Sequence, residues 1–146
     1  MMRALYLIIL LALAWPTSGA SQAELWLVVA STSGSVTSID SLSIKVVGTD
    51  LVELRVRKQF SPAREQSRGR YDFIRYDTHI VRTRLHCTKL RSMDLESVHY
   101  QGTVQVQRDY GSAGKPRWGQ PFGAADQRLA ERACGIALGS RTQDRP

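Results

Sequence analysis

Residues 51–60, LVELRVRKQF, alternate with a period of two. Val52, Leu54, Val56 and Phe60 fall on one side, and Glu53, Arg55, Arg57 and Gln59 on the other, with Lys58 interrupting the apolar set. Such alternation predicts a strand of an antiparallel sheet with one dry face and one charged face. The same period returns within 71–89, where Val81, Thr83, Leu85 and Cys87 point one way and Arg82, Arg84 and His86 the other. Shorter runs at 24–30 (ELWLVVA), 36–39, 44–47, 94–100 and 104–108 read as further strands. The Ser/Gly segment 31–35 makes the first two a hairpin. Residues 40–43 suit one helical turn, with the Asp40 carboxylate capping free amides at its start. Two polar segments, 61–70 (SPAREQSRGR) and 109–120 (DYGSAGKPRWGQ), read as loops, the first expected to be mobile.

The pattern changes at 124–133, AADQRLAERA, a run of strong helix formers for which Gly135 offers a C-terminal cap. Residues 136–146 are expected to form a disordered tail. The sum is one α+β domain over 24–135, an antiparallel sheet with a C-terminal helix packed across it. No repeat or linker suggests a second domain.

Ahead of this domain the hydropathy has another character. Arg3 is followed by the apolar run LYLIILLALAW at 5–15 and then by small residues. A charged start, a short apolar core and small-x-small sites predict a secretory signal peptide over 1–23, cleaved after Ala20 or Ala23. The run is shorter than the roughly 20 residues that span a bilayer, which argues against an uncleaved anchor. No cysteine near the cleavage sites could accept a lipid. The mature chain is expected to be exported and to carry no transmembrane segment, in the periplasm or at the cell surface.

Export changes the reading of the two cysteines, Cys87 and Cys134. An oxidising compartment and an even count favour one disulfide over free thiols. Nothing like CxxC points to a metal. The bond would fasten the C-terminal helix to a central strand and close a loop of about 48 residues.

Charge is the next distinguishing feature. The chain holds 20 Lys and Arg against 13 Asp and Glu, a net charge of +7, and removing the leader takes only Arg3 from that balance. Only Lys45, Lys58, Lys89 and Lys115 are lysines. An arginine-rich surface attracts polyanions such as lipopolysaccharide, sulfated glycans or acidic protein segments, since the planar guanidinium suits carboxylate and sulfate. Nucleic acid is not an expected partner, because no recognition motif for it is present. Arg55, Arg57, Arg82 and Arg84 are the candidate binding face, provided their two strands are neighbours; the plainer alternative is a solvated sheet face. Trp26, Trp118 and Tyr100 are candidate anchors of a core or of an interface, and Trp26, in an apolar strand, reads as core. Trp118, beside Arg117 and Gly119 on a loop, is a candidate contact residue, or packs over the helix.

No catalytic residue is assigned, for GxSxG, HExxH and phosphate-binding loops are all absent from the sequence. His79, His86 and His99 read as surface histidines on basic strands, with no cofactor and no metal site expected. Asp94 and Glu96 read as ion-pair partners for the arginines rather than as an acid/base pair.

In outline the sequence resembles the surface-adhesin protein E-like family of Gram-negative bacteria. An opening strand leads to Ile39-Asp40-Ser41-Leu42-Ser43-Ile44, similar to that family's Ile-Asp-x-x-Ser-Ile element. A basic strand follows at 51–60, then a strand ending at Leu85-His86-Cys87 and another ending in Tyr100. The 118–121 stretch and a helix closing at Cys134 complete the order, from about 24 to 135. The resemblance implies a sheet of about six strands with a helix tied on by the disulfide. It also implies an adhesin that binds host proteins such as vitronectin, laminin and plasminogen, and it allows a homodimer. In the family, the region around the cysteine strand contributes to such binding; here that region is 75–100, with no single contact residue matching. The founding adhesin is anchored through a lipidated N-terminal cysteine, which this sequence does not have, so a periplasmic protein-binding or inhibitor module is the competing expectation, with a hydrolase of unrecognised site as the third.

Overall fold

The computed structural model describes residues 23–111, 117–119 and 124–143. Apart from Ala23, the expected leader lies outside these residues, as do 112–116 and 120 of the expected second loop. Six strands form one antiparallel sheet in the order β1-β2-β3-β4-β5-β6. They are β1 (Trp26–Ser31), β2 (Ser35–Val46), β3 (Leu51–Ser67), β4 (Phe73–His86), β5 (Arg91–Gln101) and β6 (Val104–Tyr110). One helix follows, α1 (Ala124–Gln143).

The expected α+β class therefore needs correction. Among the described residues the molecule is mostly β, a six-stranded antiparallel meander carrying one 20-residue helix. The difference arises because segments read as turn or loop are strand. Residues 40–43 do not form a helical turn but continue β2 through a register break between Asp40 and Lys45. Asp40 still caps free amides there, accepting from Leu42 N at 3.2 Å and Leu25 N at 3.1 Å. The polar segment after Phe60 is also strand. Pro62 falls in the unpaired gap between Gln59 and Arg64, and pairing resumes from Arg64↔Tyr76 to Ser67↔Phe73. A proline lacks the amide a ladder needs, so the strand accepts it only at such an irregularity.

The alternation read from 51–60 and 81–85 is what the core uses. Ile39, Val52, Leu54, Val56 and Leu85 are buried beneath Leu129, Ala130, Ala133 and Ala137 of α1. Leu129, Ala133 and Ala137 recur at helical spacing, and three of the four helix residues are alanine, so the helix lies close to the sheet. It crosses β1, β2 and β3. Gly135 does not end it. The helix runs on through Gly135 and Gly139, each of which costs up to about 1 kcal/mol of propensity that docking offsets. Cys87 and Cys134 are disulfide-bonded, with Cα atoms 5.9 Å apart. Among the described residues no helix is long and apolar enough to cross a membrane.

At the far edge, Gly111 donates its amide to Leu95 O at 3.0 Å. A Cβ there would lie 2.1 Å from Asp94 O, so only glycine allows the chain to leave β6 so close to β5.

Candidate anion-binding face

Cross-strand partners in an antiparallel sheet share a face, and on the face opposite α1 this rule builds two rows across all six strands. One runs Trp26, Asp40, Arg55, Arg82, Glu96, Tyr110. The other runs Val28, Ser38, Arg57, Ile80, Val98, Arg108. A shorter third row sets Glu53 beside Arg84. Arg55, Arg57, Arg82 and Arg84 thus lie on adjacent strands and on one face, but their surroundings differ.

Arg55 stands directly opposite Arg82, a like-charge pair that is unfavourable by itself. Carboxylates at both ends compensate. Arg55 contacts Glu24 at 2.6 Å and lies 3.7 Å from the buried Asp40. Burial alone would raise the Glu24 pKa, but the Trp26 indole N–H and the Arg55 guanidinium outweigh it and hold that carboxyl below its usual range. Arg57 has an aromatic partner, since its guanidinium lies 4.4 Å from the Trp26 ring centre. Trp26 therefore roofs the arginine face and does not belong to the core beneath the helix. Arg84 is ion-paired to Glu53 through two of its nitrogens.

Arg82 and Arg108 are different. Both ion-pair with Glu96, at 3.8 and 3.4 Å, so two guanidinium groups share one carboxylate, and Arg108 has the Tyr110 side chain as a further partner. Their side chains are also the most open of the arginines in these rows with an ion pair, 51% and 43% exposed. They border a shallow groove of about 250 Å³ with Ile80 and Val98 in its lining and Tyr100 alongside. A second groove of about 350 Å³ flanks the Arg55–Arg82 pair on the other side, lined by Lys45, Asp40 and Glu53 among others. The Arg82–Arg108 groove falls below the roughly 300–1,000 Å³ of small-molecule pockets and suits one sulfate- or carboxylate-bearing unit of a longer chain.

One member of this site, Arg108, went unrecognised in the sequence, whereas Tyr100 was among the candidate anchors. The signal was the weak alternation at 104–108, which placed a strand but not its register. Trp118 is not part of the groove. It sits against His86, ring centres 5.9 Å apart, where Gly119 N donates to Ser92 O at 2.8 Å.

The histidines also depart from expectation. His79 and His99 are cross-strand partners, stacked with ring centres 4.2 Å apart and planes within 8°, and Tyr76 meets both rings edge-on. His99 is only 5% exposed. These are packed groups, not surface ones, because they extend the row of Lys58 on the helix-side face. Desolvation, helped by the neighbouring His99 and Lys58, lowers the His79 pKa to about 4, and burial lowers that of His99. His79 Nε2 lies 2.7 Å from Ser97 Oγ, the contact of a base with a nucleophile. Among the described residues, however, no carboxylate is hydrogen-bonded to either ring, and a base of such low pKa is poorly matched to neutral pH. Nor is any group of three His, Cys, Asp or Glu side chains among them placed to hold a metal.

No protein-family model matches this chain, and no curated protein sequence does. Among solved structures, crystal form II of Haemophilus influenzae protein E is similar with a TM-score of 0.49 and 14% sequence identity, over 77% of this chain and 96% of that one.

Proposed function

We propose that this chain is an exported, non-catalytic binding domain whose open sheet face holds acidic macromolecules, either sulfated glycans or acidic protein segments. The observation that carries this reading is the shared carboxylate at Arg82 and Arg108. One Glu96 cannot saturate ten guanidinium N–H donors, so an incoming sulfate or carboxylate finds donors already oriented above an apolar floor. The disulfide suits an oxidising compartment. The family resemblance of the sequence makes vitronectin and laminin the first protein ligands to try, with a periplasmic partner as the alternative.

Chromatography on immobilised heparin tests the site. The wild-type chain should elute at higher salt than the double variant Arg82→Gln/Arg108→Gln, because exposed contacts of this kind are screened within about 10 Å at 0.1 M salt. Arg84→Gln removes the same formal charge as either single groove variant, Arg82→Gln or Arg108→Gln, but from a guanidinium already satisfied by Glu53, and should elute near wild type while each single groove variant elutes earlier. Equal losses in Arg84→Gln and in either groove variant would mean that only net charge is being read, and the proposal would fail.

A further inference from the structure

The β3–β4 hairpin reaches beyond the sheet on both sides. Pairing of β2 with β3 ends at Ser35↔Phe60, and pairing of β4 with β5 ends at Thr78↔Tyr100. Beyond those points 61–76 is a two-stranded ribbon with no flanking strand among the described residues. Its root is held firmly. Tyr76 is buried and meets Phe60 edge-on at 5.7 Å, Arg64 covers the Phe60 ring at 4.2 Å, and Ile74 is buried. The tip is closed by Arg68 N donating to Asp72 O at 2.7 Å and by Ser67 Oγ donating to Gly69 O at 2.7 Å.

What this ordered ribbon presents at its end is unusual for a soluble surface. Tyr71 is 87% exposed and Phe73 62% exposed. Around them lie Arg68, Arg70 and Arg75, while the carboxylates of the ribbon are Glu65 and Asp72. Asp72 already faces Arg68 at 3.8 Å, and Arg70 lies 5.9 Å from the Tyr71 ring centre. Aromatic rings beside cations match the chemistry of a bilayer interface, where the ring enters the headgroup layer and the guanidinium meets phosphate. A protein partner would instead favour aromatic anchors at the centre of a broad patch that excludes water around them. These rings stand at the extremity of a ribbon one hairpin wide, and a deformable surface can close around such a projection from every side.

We propose that the β3–β4 arm docks onto an anionic bilayer surface, with Tyr71 and Phe73 entering the interfacial layer and Arg68, Arg70 and Arg75 held by its headgroups. The arm is separate from the Arg82–Arg108 groove and uses none of its residues.

Vesicle flotation tests this with the chain from Ser21 onward, which keeps every described residue and omits the apolar leader. Vesicles of phosphatidylcholine with roughly one-third phosphatidylglycerol should carry the protein upward, and pure phosphatidylcholine should not. Tyr71→Ser/Phe73→Ser should lower the floated fraction by about fivefold or more at unchanged thermal midpoint, since neither ring is buried. Arg82→Gln/Arg108→Gln should float like wild type, which separates this surface from the glycan site. Absence of wild-type flotation overturns the proposal, as does flotation that survives loss of both rings. Capture of a protein ligand by the arm without flotation overturns it as well.

Discussion

At the register break in β2, one hydroxyl restores the ladder that the backbone leaves open. Ser43 Oγ donates to Asp40 O at 2.7 Å and accepts from Arg55 N at 2.8 Å, so a side chain substitutes for a rung between β2 and β3. Ser43→Ala would leave both groups unpaired in a half-buried site. A loss of about 1–3 kcal/mol is expected, read as a lower urea midpoint at unchanged m-value. The stacked histidines make a second prediction at this scale. His79 has a folded pKa lowered to about 4 against an ordinary value of 6.5, so the unfolded chain binds the proton first as pH falls. Its contribution is therefore fully present above about pH 6.5, declines between 6.5 and 4, and changes no further below that. The groups facing the ring are His99, Lys58, Ser97 and Asp109. After discounting for partial exposure the effect is about 1–2 kcal/mol. Unfolding midpoints at pH 7 and pH 5 should differ by less in His79→Gln than in wild type. An unchanged difference would show that His79 is not the titrating group.

At the scale of elements, strands with a clean period of two were readable because one face is buried by α1 and the other is wet. Val52, Leu54, Val56, Val81 and Leu85 declared themselves for that reason. What misled was local chemistry overridden by pairing. SPAREQS has the composition of a loop, yet from Arg64 to Ser67 it pairs across the hairpin with Phe73 to Tyr76. Gly135 has the look of a helix stop, yet Ala137 beyond it is buried against the sheet. The helix is tied to the sheet by packing and by Cys87–Cys134, 47 residues apart. In the chain-entropy model such a loop is worth on the order of 4 kcal/mol. Cys87→Ser/Cys134→Ser should accordingly lower the denaturant midpoint of the whole domain, and reduction of the wild type should give the same shift. A midpoint that did not move would mean that packing of α1 alone secures the helix.

For the molecule as a whole, the candidate site was half legible. Parity along β3 and β4 put Arg55, Arg57, Arg82 and Arg84 on common faces, but parity carries no information about which arginine finds a private carboxylate. Glu53 claims Arg84 and Trp26 covers Arg57, while Glu96 is left to serve two. Glu96 reaches Arg82 only because the register slips between Arg82 and Thr83, which pairs Thr83 with Asp94 and skips Leu95. A one-residue slip of that kind redirects every later side chain, and nothing in the alternation of 94–100 announces it. The strand order has a different kind of consequence. Every strand pairs with its immediate successor in the chain, so a polypeptide emerging N-terminus first can close each hairpin as soon as its second strand appears. Short separations between partners favour rapid closure. Only α1, which follows all six strands in the sequence, packs on strands far earlier in the chain. Until it arrives, Cys87 has no thiol to join and the apolar side of β1–β3 stands open, and that interval is when the nascent chain most needs shielding from aggregation.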